Sequence, residues 1–326
     1  MKRLNRFGVG LAVATLVALP SSQTYAQSRY PDRPIRIVIP FSPGGGTDIM
    51  GRKLGAAYTA VFGQSAIVDN KAGAGGTIGT AEVARAKPDG YTLLIGTSST
   101  HTMAPLTMDN LTYDPVKSFT NIAVLGFGPY LIAVHPTVAQ NLPELIKRVK
   151  ARPGKYSFGS TGIGGMVHFS GELFKKQAGD LDIVHVPYKG TGQSVQDLIA
   201  GHIPIVITAV SSAMPHHRSG RLRILAVFNE RRSKAAPDIP TAVELGLKGM
   251  LAYTINVLCA PADTPRSVVD QLFRTTVQVM DDAFQKDLVN LGIEPAPDTS
   301  PDKATQLIKD EIEKWAPIVR ATDMKQ

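Results

Sequence analysis

Three glycine-rich loops hold the residues best suited to chemistry in this chain. The first, Pro40-Phe41-Ser42-Pro43-Gly44-Gly45-Gly46-Thr47-Asp48, follows a short apolar run and opens an amphipathic one. Glycines carry no side chain, so successive backbone N–H groups can turn toward one ligand, and a helix start behind them adds partial positive charge. A carboxylate or phosphate suits such a loop; a tight turn in which Asp48 only caps the helix is the competing reading. The second loop, Asn70-Lys71-Ala72-Gly73-Ala74-Gly75-Gly76-Thr77-Ile78-Gly79, contains a GxG pair, but its third glycine falls one residue late for a dinucleotide fingerprint. No GxxxxGK[ST] run is present, which excludes a P-loop. The third, Gly159-Ser160-Thr161-Gly162-Ile163-Gly164-Gly165, again leads from an apolar run into a helical one. Two such helix starts facing a common space would close on a small anion from both sides.

Catalytic patterns are weak by comparison. Ser160 lies in GSTG and Ser98 in GTSST, so neither forms a GxSxG nucleophile elbow. HExxH is absent, and His216 and His217 are adjacent, a spacing at which side chains diverge. His101, His168, His185 and His202 fall on different elements and read as structural or pocket histidines, so no metal site and no cofactor are expected. Cys259, the single cysteine, lies in an apolar run and reads as a buried thiol; alone it excludes an intrachain disulfide or a CxxC site. Arg218, Arg221, Arg223, Arg231, Arg232 and Lys234 make a basic stretch without interleaved aromatics, which reads as a solvated face and not as a nucleic-acid surface.

The elements that must position these loops follow from periodicity. The chain has 326 residues, 43% of them hydrophobic, with 35 Lys and Arg against 27 Asp and Glu. Lys2, Arg3 and Arg6 precede an uncharged stretch from Phe7 to Leu19, and Thr24-Tyr25-Ala26 has the small residues of a cleavage site. Residues 1–26 therefore read as a secretory signal peptide, and removing them takes the formal charge from +8 to +5. The rest alternates short apolar strands with amphipathic helices, the pattern of an α/β fold with mostly parallel sheets. Strands are expected at 35–40, 66–69, 91–96, 122–126, 131–134, 156–159, 183–186, 205–208, 222–228 and 252–259. Helices are expected near 49–62, 77–86, 143–151, 166–178, 194–200, 265–282 and 301–321. The order of elements restarts near residue 126, which suggests a second lobe.

At these loops the sequence resembles the substrate-binding receptors of tripartite tricarboxylate transporters, the Bug or TctC-like family. The matching blocks run along the chain: Tyr30-Pro31-Asp32-Arg33-Pro34-Ile35-Arg36, Pro40 to Gly45, Gly73 to Gly76, Lys87 to Leu94, Tyr113-Asp114-Pro115 and Pro153-Gly154-Lys155. They continue through Gly159 to Gly162, His185 to Gly190, Asp238 to Thr241 and Ala260-Pro261. The family usually carries proline where Ser42 stands, aspartate where Pro204 stands, and a Trp-x-Gly near Thr254-Ile255-Asn256, so the ligand of a relative does not transfer directly.

The resemblance implies a two-lobed, Venus-flytrap periplasmic binding protein, α/β in class, each lobe a mostly parallel sheet flanked by helices. Its expected division is 27–125 plus 250–326 for lobe one and 126–249 for lobe two, with the ligand cleft between them. The implied function is an extracytoplasmic solute receptor, not an enzyme, that binds a small organic acid and delivers it to membrane permease subunits. The protein would be a periplasmic monomer. Carried over residue by residue, ligand binding falls to Phe41, Ser42, Gly44, Gly45 and Asp48 in the first loop and to Ser160, Thr161, Gly162 and His168 in the third. Ser98, Ser99 and Thr208 join them from their places after strands. The alternatives are a solute sensor feeding a signalling kinase, or a periplasmic hydrolase or isomerase using Ser160 with His168 or His101.

Overall fold

A computed structural model describes residues 30–296 and 298–320. The expected signal peptide lies outside the described residues. In chain order the elements are β1 (Ile35–Ile39), α1 (Gly46–Phe62), β2 (Ala66–Asn70), α2 (Thr77–Ala84), β3 (Thr92–Thr97), α3 (Ala104–Thr107), β4 (Phe119–Val134), α4 (Leu142–Lys150), β5 (Tyr156–Ser160) and α5 (Met166–Gln177). They continue with β6 (Ile183–Pro187), α6 (Thr191–Ile199), β7 (Ile205–Ala209), α7 (Val210–Arg218), β8 (Arg223–Val227), β9 (Tyr253–Pro261), α8 (Arg266–Val279), α9 (Asp282–Asn290), β10 (Glu294–Pro295) and α10 (Pro301–Arg320).

Local chemistry sets most of these boundaries. Gly63, at φ 68°, ends α1 in the left-handed conformation that glycine adopts without strain. The Asn141 side chain accepts the Glu144 N–H at 2.9 Å and starts α4. Ser300 Oγ accepts the Lys303 N–H at 3.1 Å ahead of α10, whose first residue is Pro301. The strands IRIVI and IVITA are buried on both faces, as parallel strands covered by helices must be.

The sheet runs β2-β1-β3-β9-β4-β7-β5-β6, with β8 and β10 also paired to β4. β1 is parallel to β2 and β3, and β5 is parallel to β6 and β7. The antiparallel strands β9 and β4 stand between these groups. Two stretches expected as separate strands, 122–126 and 131–134, are one strand of 16 residues. Its first part pairs with β9 and its last five residues pair with β7. Gly128-Pro129 does not break it, because both residues stay in the ladder, opposite Thr254 and Tyr253, and the irregularity falls in register shifts before Gly126, at φ 155°. Sequence reading also misses α7, which follows β7 with no glycine between, and it misses α9, since the helix expected near 265–282 covers α8 alone.

The largest apolar cluster wraps β4, β5, β7 and β8 with α4 and α5, and α10 contributes Trp315 and Val319 to it. Trp315 packs edge-on against Phe169, with ring centroids 5.5 Å apart. The buried Glu311 carboxylate fixes this helix: it accepts from Trp315 Nε1 at 2.9 Å, from Tyr253 OH at 2.6 Å and from Lys314 Nζ at 3.3 Å. Burial and this bond push the Tyr253 phenol well above its ordinary range. Glu311→Ala is expected to cost about 3 kcal/mol, the scale of losing hydrogen bonds to a buried charge and stranding their donors. Urea denaturation followed by Trp315 fluorescence would measure it, and a loss below about 1 kcal/mol would show that α10 is held by apolar packing alone.

Candidate functional site

The carboxyl ends of β1, β3, β5, β6 and β7 each run into a turn or helix start, and these converge on one cavity. Its volume is ≈ 420 Å³, counting the open mouth. The start of α1 supplies Gly45, Gly46, Thr47 and Asp48, and Thr191 is the first residue of α6. The first turn of α5 supplies Val167, and Ala209 is the N-cap of α7. Phe41, Thr97, Ser99, Tyr130, Thr161 and Thr254 complete the wall. None of the four helices receives a side-chain cap from its own N-cap residue. Their partial positive ends therefore face the cavity, while no Lys or Arg lines it.

Asp48 is the one charged residue in the wall, and it is occupied. Its carboxylate accepts Gly44 N–H at 2.9 Å, Arg52 Nε at 3.0 Å and Asn70 Nδ2 at 3.0 Å, and Arg52 Nη2 lies 3.0 Å from Oδ1. Burial raises its pKa, but these donors outweigh burial and hold it below the usual carboxylate range. Asp48 thus ties the first glycine loop to α1 and to β2. Thr47 Oγ1 donates to Asn256 Oδ1 at 3.0 Å, linking α1 to β9. Ser99 Oγ accepts the Met166 N–H of α5 at 3.0 Å. The buried Thr161 hydroxyl has no protein partner, which leaves it available to an occupant of the cavity.

Backbone packs directly on backbone around the mouth. A Cβ on Gly192 would collide with the Pro43 carbonyl oxygen, and one on Gly190 would come within 2.7 Å of the Ser42 nitrogen. Across the cavity, a Cβ on Gly162 would come within 2.9 Å of the Gly75 nitrogen. The second glycine loop therefore meets the third, and the first meets the start of α6, in contacts that only glycine permits.

Beside the third loop, His168 and His185 stack with centroids 3.8 Å apart and ring planes at 17°. His185 Nε2 is 2.6 Å from Ser160 Oγ, and His168 Nδ1 accepts the Gly164 N–H at 3.2 Å. Each imidazole holds one end of the loop. Burial, His168 and Lys175 push the His185 pKa down to about 3, and burial also lowers that of His168. The structure does not join Ser160 to His168: the serine is fully buried, bonds His185 and Gly162, and does not line the cavity. No carboxylate among the described residues bonds the His185 ring. His101 is buried within the helical segment Ser98–Met103, where Thr100 Oγ1 lies 2.9 Å from Nδ1, and burial lowers its pKa to about 4. Among the described residues no group of three or more His, Cys, Asp or Glu is placed to hold a metal.

Of the residues singled out from sequence, Phe41, Gly45, Asp48, Ser99 and Thr161 line the cavity. Ser42 and Gly44 line a separate outer cavity against α6 and α7. Ser98 clips β9, accepting Ile255 N–H at 2.9 Å and donating to Tyr253 O at 3.3 Å. Gly162, His168, Ser160 and Thr208 stand behind the wall. Sequence reading missed Thr191, although Lys189-Gly190-Thr191-Gly192 repeats the pattern of a strand leading through glycine to a helix. It also missed Tyr130, which lies inside a strand and carries no local signal, and it left Thr254 out of the binding residues although the family's Trp-x-Gly falls near that position.

Two outcomes follow from this geometry. Gly192→Ala is expected to leave the melting temperature within a few degrees of the parent, since alanine suits a helix start, while enlarging the radius of gyration in X-ray scattering. An unchanged radius would mean the backbone contacts tolerate a methyl. His101 is neutral in the fold and would take up a proton near pH 6.5 when unfolded, so its contribution to stability is lost as pH falls from about 6.5 toward 4. His101 alone is expected to remove about 2 kcal/mol between pH 6.5 and 5, because each unit of pKa difference is worth about 1.4 kcal/mol, and the lowered His185 and His168 add to that loss over the same interval. Urea midpoints that do not move across that interval would contradict this.

Residues 50–324 match the family model described as the tripartite tricarboxylate transporter family receptor. Protein BugT of Bordetella pertussis is 35% identical over 98% of this chain and 96% of its own. The structure of R. palustris Rpa4515 with adipate is 30% identical, with a TM-score of 0.87 over 91% of this chain and 99% of that one. MatC (Rpa3494) from Rhodopseudomonas palustris with bound malate is also 30% identical, with a TM-score of 0.84 over 89% of this chain and 100% of that one. The chain has the two-lobed α/β fold of the periplasmic binding proteins, and it belongs to the tripartite tricarboxylate transporter receptor family, the Bug or TctC-like solute-binding proteins.

Proposed function

We propose that this protein is an exported receptor that binds a small carboxylate in the cavity described above and delivers it to the permease subunits of a tripartite tricarboxylate-type transporter. The observation that carries this reading is the convergence of four helix N-termini on a cavity without a Lys or Arg. Oriented N–H groups and helix ends are enough to stabilise an anion, and each contributes about 0.3–1 kcal/mol when exposed and up to about 2 when partly buried. The adipate and malate of the two structural relatives are anions of this kind. The division into residues 27–125 plus 250–326 and residues 126–249 belongs to the same proposal. It makes the glycine contacts at the mouth the surfaces that part to admit the ligand. Delivery to a permease implies a periplasmic protein, released by cleavage of its signal peptide and acting as a monomer.

Ser160 gives the enzyme alternative little support, because its hydroxyl is buried in the loop and turned away from the cavity. Calorimetric titration with malate and adipate, followed by recovery of the ligand, tests the receptor reading. At least one acid is expected to bind with one-to-one stoichiometry and return unchanged. Gly45→Val, whose side chain meets Thr191 Oγ1 2.5 Å from Cβ, is expected to weaken that binding at least a hundredfold while the protein stays folded. Conversion of the ligand would reject the reading, and full affinity in Gly45→Val would move the ligand to another site.

A further inference from the structure

A second cavity lies on the other face of β9. Successive residues of a strand point to opposite sides, so Thr254 lines the cavity described above while Tyr253 lines this one. Its volume is ≈ 890 Å³ with the open mouth counted, about twice the first, and the two share no lining residue. α5 supplies Leu173, α10 supplies Trp315 and Ile318, and Leu251 stands just before β9. With the Tyr253 ring these side chains make an apolar floor. A concave apolar surface of this size takes the hydrocarbon part of a small ligand.

The rim carries charge of both signs. Lys314 Nζ donates to Tyr253 OH at 2.8 Å and to Glu311 Oε1 at 3.3 Å, and it stands 4.9 Å and 5.0 Å from the ring centroids of Tyr253 and Trp315. The ammonium is thereby held in place with one of its three protons still to give. Glu230 lines the same cavity, and its exposed carboxylate has no partner among the described residues. A simple carboxylate would suit Lys314 but face Glu230, and a simple amine would suit Glu230 but face Lys314. A neutral apolar molecule would answer neither. A zwitterion with an apolar side chain satisfies the floor and both signs of the rim.

We infer that this cavity is a second binding site, separate from the carboxylate cavity, for an apolar α-amino acid. Trp315 is the single tryptophan of the chain, so its emission reports on this site. Titrating the purified protein with L-phenylalanine is expected to change that emission saturably. 3-Phenylpropanoate, which lacks the ammonium, and phenethylamine, which lacks the carboxylate, are each expected to bind about fivefold more weakly, the scale of one exposed ion pair. Glu230→Gln is expected to keep the parent melting temperature and to erase the advantage of L-phenylalanine over 3-phenylpropanoate. No saturable change with L-phenylalanine, equal binding of the three compounds, or an undiminished advantage in Glu230→Gln would overturn the inference. None of these outcomes bears on the carboxylate cavity, because Glu230 and Trp315 do not line it.

Discussion

The placement of helix starts is the constraint on which the rest of the structure depends. The first turn of a helix leaves N–H groups without partners inside the helix, and they must be satisfied by a cap, by solvent or by a ligand. At α1, α5, α6 and α7 the residue before the helix is glycine or alanine, which has no side-chain oxygen to give. Ser99 reaches across to the first N–H of α5, and the remaining starts open toward the cavity. A lysine in that wall would attract an anion more strongly, but it would also have to be desolvated whenever the cavity emptied. Fixed backbone dipoles carry no such penalty, and their direction is set by the strands that lead into them.

Those strands explain why the dipoles point together. In an open α/β sheet the carboxyl ends of parallel strands feed helix starts along one edge, and a ligand crevice forms there. β1 and β3 do this on one side of the antiparallel pair β9 and β4, and β5, β6 and β7 do it on the other. Side chains on β4 and β9, Tyr130 and Thr254, form the floor between the two groups. Burial raises the Tyr130 phenol to about 12, so it stays protonated there. Asp48 with Arg52 and Asn70 anchors one loop, and the stacked pair of His168 and His185 anchors another. The glycines at the mouth then let the loops approach to backbone contact, which excludes water and strengthens every dipole inside.

Much of this was legible in the sequence. The loop Gly44-Gly45-Gly46 and the run Ser160-Thr161-Gly162 were recognisable because glycine after a buried strand marks a backbone that must approach something closely. Asp48 was identified as a site residue, but its task is to hold the loop, as its four donors show. Ser160 and His168 were grouped by residue type, whereas the fold pairs Ser160 with His185, which is 25 residues away and on the neighbouring strand. Helix α7 left no trace, because its N-cap, Ala209, closes an apolar strand without punctuation. Tyr130 could not be found from local pattern, since its role comes only from β4 and β9 lying side by side.

In the proposed receptor, backbone N–H groups at helix starts, and not a cationic side chain, hold the ligand. Nuclear magnetic resonance of the ¹⁵N-labelled protein titrated with malate addresses this directly. The largest amide proton shifts, moving downfield as in a charge-assisted hydrogen bond, are expected on Gly46, Thr47 and Thr191. Shifts confined to the side chains of arginine or lysine, with those amides unmoved, would contradict it.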